Sequence, residues 1–184
     1  PHRPAERHAR APHPCIIVMG GVSASGKSWL AEHLLAPLGA VRVRSDVERK
    51  RLAGLSALAA SGGAIYTPDL TARTYQRLGE AARAIIEAGF TAIIDAACLK
   101  RAERDELRGL ARELGVPVRL VWVTARDTVL AARIAARRAL AADPSEATLD
   151  ILRAQQDFVE VPGADELGSG LLIDTSDGVD LARL

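Results

Sequence analysis

The chain has 184 residues, enough to enclose one core of ordinary domain size, and 48% of them are apolar while only 3% are aromatic. Ala, Leu, Ile and Val carry the apolar share, so the expected core is aliphatic and largely helix-built, and no disorder-type composition dominates. Formal net charge is +1, but residues 1–14 hold three Arg and one Glu, which leaves the rest of the chain at 21 basic against 22 acidic side chains, a formal −1. A near-neutral body removes any general electrostatic drive toward nucleic acid and leaves only a local basic groove to be considered. No stretch reaches the ~18 consecutive apolar residues of a membrane helix, and no apolar signal-peptide centre is present, so the expectation is a soluble chain. Cys15 and Cys98 each lie in an apolar, strand-like run and have no metal-ligand spacing, which fits a reduced cytoplasmic setting.

In chain order, residues 1–14 come first, with four prolines, His2, His8 and His13 and no periodicity. They read as a flexible tail, and the spacing of the histidines matches no familiar metal site. The domain is expected over 15–184. Cys15–Met19 is apolar throughout, as in a parallel strand covered on both faces. Lys27–Leu35 reads as a helix with Leu30, Leu34 and Leu35 on one side, stopped near Pro37 and Gly39. Val41–Arg44 suits a second strand and Val47–Arg51 a short helix. Asp69–Glu87 is a longer helix closed by Gly89, and Thr91–Ile94 a third strand. Ala102–Leu114 returns as a helix ending at Gly115, Val118–Val123 is a fourth strand and Leu171–Ile173 a fifth. Strands separated by helices imply right-handed crossovers, a parallel sheet, and ligands bound beyond the carboxyl ends of the strands.

Those ends carry the chemistry. Gly21-Val-Ser-Ala-Ser-Gly26-Lys27-Ser28 matches G-x-x-x-x-G-K-[ST], with a strand before it and a helix after it. Phosphate oxygens need several backbone N–H donors converging on one point, which glycine permits and a helix N-terminus reinforces. Gly21, Ser23, Ala24, Ser25 and Gly26 are the expected cradle for ATP, continued by Lys27, Ser28 and Trp29 at the start of the helix. Lys27 reaches the terminal phosphates as a cation, and the Ser28 hydroxyl suits Mg2+ bridging the outer phosphates.

Asp46, just past the second strand, is placed on the same rim, where a carboxylate accepts a hydroxyl proton and orients the oxygen toward the terminal phosphate; capping the helix that follows is the plainer role. Asp95 ends the third strand, where a carboxylate holds Mg2+ directly or through water. Arg133 and Arg137 share one helix face, Arg138 follows, and Asp143-Pro-Ser-Glu146 reads as a new helix start. The segment is a hinged-lid candidate that brings guanidinium groups to the transferring phosphoryl. Arg101, Arg104, Arg108 and Arg112, among acidic neighbours, read as an exposed face laced with ion pairs. Arg49, Lys50 and Arg51 can attract an anionic substrate or form a surface helix. Tyr66-Thr-Pro68, after Gly62 and Gly63, reads as a loop beside the substrate region.

With these motifs in place, the sequence from about Cys15 to Thr175 resembles the small P-loop kinases of the AAA-type ATP-binding family, more distantly polynucleotide 5′-hydroxyl kinases, chloramphenicol phosphotransferase, gluconate kinase and zeta toxins. Gly21–Ser28, Arg44-Ser-Asp46-Val-Glu-Arg-Lys50, Tyr66-Thr-Pro68 and Ile93-Ile-Asp95-Ala carry the likeness. It implies an α/β three-layer P-loop NTPase sandwich, a parallel five-stranded sheet of order 2-3-1-4-5, Asp46 as hydroxyl-activating base, and a helical lid bearing Arg133 and Arg137. Trp29, where relatives carry a small or hydroxyl residue, and Ala97, where many carry threonine, depart from the pattern. The expected activity is transfer of the γ-phosphoryl of ATP to a hydroxyl on a small molecule or a polynucleotide 5′ end. The alternatives are a nucleotide-driven regulatory ATPase and an ATP-binding module without an acceptor. A partner domain or a homo-oligomer is left open.

Overall fold

The computed structural model describes residues 13–59, 61, 63–140 and 147–181, with the backbone alone at 138–140. Its strands are β1 (Ile16–Gly20), β2 (Ala40–Arg44), β3 (Thr91–Asp95), β4 (Val118–Thr124) and β5 (Leu171–Asp174). They form one parallel sheet in the order β2-β3-β1-β4-β5, as the resemblance implied. Every residue of β1 and β3 is buried, because helices cover both faces of the sheet centre.

The period-2 alternation of the strands sorts their side chains between two apolar layers. Ile16, Val18, Ala92, Ile94 and Leu120 pack against Leu78, Ala82 and Ile86 of α3 (Pro68–Glu87) and Leu107 and Ala111 of α4 (Arg101–Leu114). Ile17, Met19, Ile93, Val121, Val123 and Ile173 face Leu30 and Ala31 of α1 (Lys27–Leu38). The remaining helices are α2 (Ser45–Leu52), α5 (Asp127–Leu140), α6 (Leu149–Phe158) and the single turn α7 (Ala164–Leu167). Leu130 and Ile134 of α5 and Leu152 of α6 form a third cluster on Ala24 of the glycine-rich loop. Among the described residues no helix is long and apolar enough to cross a membrane.

Several expectations need correcting. Helix α1 runs through Pro37 to Leu38 before Gly39 closes it at φ 54°; in the last turn a proline keeps a helical φ and removes only one hydrogen bond. Cys98 is in no strand but in the loop after β3, at φ 46° and fully buried. Helix α2 is not a surface helix, since Glu48, Arg49 and Lys50 are buried against α3 and β2. Most consequential is Arg104, expected on an exposed face and only 2% exposed. Its guanidinium donates to both carboxylate oxygens of Glu166, at 2.6 and 3.1 Å, and to the carbonyls of Cys98 and Leu99, at 2.9 and 3.2 Å. It also lies 5.4 Å from the centre of the Trp122 ring. Helical spacing could not disclose this, because α7 arrives from 62 residues away to cover that one position.

Removing one partner of this pair leaves a buried charge uncompensated, so Arg104→Met is expected to lose about 3–5 kcal/mol in urea unfolding. The Arg104 hydrogen bonds hold the Glu166 carboxyl below its ordinary value. Its contribution is complete above that ordinary value and is lost as pH falls through the folded-state value. Glu166→Gln is therefore expected to flatten the acid limb of a stability–pH curve, and an unchanged limb contradicts the assignment.

Candidate nucleotide site

At the carboxyl end of the sheet, strand register brings four strands level. Met19 is opposite Asp95, Asp95 is opposite Arg44, and Gly20 is opposite Trp122. The chain leaves β1 through the glycine-rich loop, β2 into α2, and β3 at Asp95 itself, so loop, Asp46 and Asp95 share one rim. Together they line a cavity of about 1300 Å3.

The loop has no freedom at its glycines. Gly21 sits at φ 127°, and a Cβ there would stand 2.1 Å from the Val123 carbonyl oxygen; Gly26 sits at φ 102° against the Thr175 side chain. Helix α1 begins without a side-chain cap and without an acid in its first turn, and its first hydrogen bond runs from Leu30 N to Gly26 O. The N–H groups ahead of that bond, with the helix dipole behind them, make an anion site.

Lys27 folds back over the loop, its Nζ 2.7 Å from Val22 O and 3.4 Å from Ser25 Oγ. Burial lowers its pKa from 10.5 to about 8, against the opposing pull of the Asp95 and Asp46 carboxylates and with a smaller push from Arg137. The Ser28 hydroxyl donates to Asp95 Oδ1 at 3.1 Å, while Asp95 Oδ2 is buried with no hydrogen-bond partner and has Arg44 Nε at 3.7 Å. Burial raises the Asp95 pKa, an effect that Lys27, Ser28, Arg44 and Arg42 offset only in part. An unsatisfied buried carboxylate oxygen beside a hydroxyl is a donor set that fits Mg2+, which takes few protein oxygens and completes its shell with phosphate and water. Among the described residues no group of three or more His, Cys, Asp or Glu could hold a metal.

Asp46 lies in the first turn of α2, whose N-cap is Arg44, and lines the cavity. Arg137 and Trp29 also line it; Trp29 is 46% exposed, its ring centre 4.1 Å from that of His33. Arg133 lines it as well, while donating to Ala24 O at 3.2 Å and to Thr175 Oγ1 and O at 2.8 Å each. Ser23 and Ala24 line the cavity, whereas Ser25 is fully buried beneath the loop. The side chain of Arg138, residues 143–146 of the expected lid, Gly62, and His2 and His8 of the tail lie outside the described residues.

Two participants were not legible in the sequence, and a third, Arg49, was legible only as one of three basic residues after Asp46. Thr175, after β5, donates to Ser25 O at 2.7 Å and braces the loop from below. Gln155 of α6 accepts from Ser23 N at 2.7 Å. Arg49, 6% exposed, donates to Thr71 Oγ1 at 2.8 Å, stands 5.1 Å from the Tyr66 ring centre and has a buried Nε with no hydrogen-bond partner. Only Arg49 had a signal, its place three residues after Asp46; the other two reach the loop through long-range packing.

The model of an AAA domain family (AAA_33) matches residues 16–162, most of the chain. The chain belongs to this AAA domain family. No curated protein matches it in sequence. Among solved structures it is similar to a sugar kinase from Janibacter sp. HTCC2649, 25% identical over 89% of this chain and 86% of that one, TM-score 0.66. A gluconokinase from Sinorhizobium meliloti 1021 is 24% identical over 95% and 87%, TM-score 0.64. The APS kinase CysC of Mycobacterium tuberculosis, solved with AMPPNP and APS, is 19% identical over 89% of each, TM-score 0.61. The last two share the fold, and all three are named as kinases. The chain is thus a P-loop protein of the kinase-containing AAA type.

Because the unfolded chain binds the Lys27 proton more tightly than the folded one, stability is expected to rise between pH 8 and 10.5. Lys27→Met removes that rise, measured as the thermal midpoint against pH without nucleotide; an identical rise in the variant overturns the assignment.

Proposed function

We propose that this protein transfers the γ-phosphoryl of ATP to a hydroxyl group of a second substrate. The observation that carries the reading is Asp46, a carboxylate lining the same cavity as Lys27 and the Ser28–Asp95 pair and close enough to act on the Lys27 charge. Phosphoryl transfer needs little covalent chemistry from the protein, and positioning with charge stabilisation supplies most of the rate. Backbone N–H groups of Gly21–Ser28 hold the phosphates, with the Trp29 side chain at the exposed edge. Lys27 turns from Val22 O to the outer phosphates, which restore the charged form that burial disfavours. Ser28 and Asp95 would hold Mg2+, which neutralises charge on the outer phosphates when bound. Arg137 faces the developing charge, while Arg133 keeps the loop and Thr175 together.

On the other arm of the cavity, Asp46 accepts the proton of the attacking hydroxyl and aims its oxygen. Arg44, Arg49, Tyr66 and Thr71 surround the space beyond it. Two guanidinium groups there favour an acceptor that carries negative charge, and both a small acidic alcohol and a polynucleotide 5′ end meet that description. The cytoplasm, where ATP and reduced thiols are kept, is the setting that suits this chemistry.

ATP turnover with Mg2+ is to be measured with and without pooled acceptors: sugars, sugar acids, nucleosides, antibiotics and 5′-hydroxyl oligonucleotides. Asp46→Asn is expected to reduce acceptor-dependent ADP release by roughly 10²–10⁴-fold while ATP binding is retained. Turnover that ignores every acceptor and survives Asp46→Asn sinks the transferase reading and favours a regulatory ATPase.

A further inference from the structure

One peptide unit of the phosphate loop is held from both sides. The Val22 carbonyl accepts from Lys27 Nζ at 2.7 Å, and the N–H of the same peptide, on Ser23, donates to Gln155 Oε1 at 2.7 Å. Gln155 comes from α6, 132 residues further along the chain, and lines the cavity. Its orientation is settled by its partner: a backbone N–H can only donate, so the amide presents oxygen to Ser23 and its NH2 faces away.

This peptide is at the end of the loop where a triphosphate ends. The N–H groups nearest helix α1 serve the inner phosphates, and the lysine of such a loop reaches the outer ones. Lys27 Nζ already rests on the Val22–Ser23 peptide, so the reach of the lysine marks where the terminal phosphoryl arrives. A phosphate oxygen placed there needs the Ser23 N–H that Gln155 occupies. One N–H makes one good linear hydrogen bond, so the amide oxygen and the phosphate oxygen compete for it.

We propose that Gln155 is a terminal-phosphate sensor. With no nucleotide or with a diphosphate, its carbonyl satisfies Ser23 N–H. A triphosphate displaces that carbonyl, and the side chain turns so that its NH2 donates to an oxygen of the γ-phosphoryl. An amide is suited to this exchange because it carries an acceptor at one end and donors at the other, so neither state strands a buried polar group. The turn is transmitted to α6, whose Leu152 packs on Ala24, Leu130 and Ile134 and whose Phe158 ring lies 5.9 Å from Lys100 Nζ beyond β3. The inference rests on the ATP-binding reading above and adds a distinction between triphosphate and diphosphate.

The test uses the whole chain labelled with 15N, titrated with Mg2+–ADP and separately with a non-hydrolysable ATP analogue. The analogue is expected to shift the Ser23 amide and the Gln155 side-chain NH2, while ADP leaves the Gln155 NH2 at its nucleotide-free position. Gln155→Glu places a carboxylate against the incoming phosphate, which is expected to weaken the analogue by roughly ten- to a hundred-fold, the scale of one close like-charge contact near a surface. ADP affinity is expected to fall by a clearly smaller factor, because its terminal phosphate stands further from residue 155. Equal shifts with both nucleotides, or equal weakening of both in the variant, overturn the sensor and leave ATP binding standing. If neither nucleotide binds the native chain, both readings fall. Should Gln155→Glu not fold, the resonances of the native chain decide by themselves.

Discussion

A loop that offers its N–H groups to a ligand must have its carbonyls satisfied elsewhere, because both ends of every peptide are strong hydrogen-bonding groups. In this chain three carbonyls of the loop take side-chain donors. Val22 O takes Lys27, Ala24 O takes Arg133, and Ser25 O takes the Thr175 hydroxyl. At the head of the loop Gly21 N donates to Ala97 O at 2.9 Å, tying it to the segment after β3. Lys27 at the loop's own end and three distant parts of the chain hold this one short loop. The anion site is the face left over once those bonds are made.

The same need for satisfaction explains the architecture around it. The segment after β3 can serve Gly21 only if it is itself rigid. Cys98 N donates to Tyr75 Oη at 3.1 Å, and Arg104 takes the carbonyls of Cys98 and Leu99 while Glu166 fixes the guanidinium. A path of hydrogen bonds thus runs from α7 through α4 and the β3 exit to the first glycine of the loop. Burial raises the Cys98 thiol to about 12, so it stays neutral and serves as packing.

Charge is concentrated where the sheet ends. Lys27, Arg42, Arg44 and Arg49 meet Asp46 and Asp95 at one rim, and burial works against the charged forms of both Lys27 and Asp95. Such an arrangement favours a ligand that brings phosphate to the lysine and a cation to the carboxylate, since each favours the charged form that burial penalises. The Arg44 guanidinium, level with Asp95 in the strand register and with Nε 3.7 Å from Asp95 Oδ2, partly fills that need.

Local pattern and motif spacing made the order of the strands and of the helices between the first four of them, the phosphate loop and the acids at the strand ends legible, because each depends on neighbours within a few residues. The unbroken apolar run Cys15–Met19 pointed to a strand covered on both faces, and Gly39 and Gly115 closed helices where expected. Chain order alone did not specify which strands are neighbours; the strand order 2-3-1-4-5 entered through resemblance and is seen in the register. What only the tertiary structure decided are contacts between distant segments. Arg104 looked like one more surface arginine until α7 covered it, Arg133 looked free until Thr175 met it, and Gln155 had no local signal at all. A sequence pattern reports which side of an element turns inward, but a hydrogen bond between residues 23 and 155 exists only because folding brings two surfaces into contact, and no spacing records that.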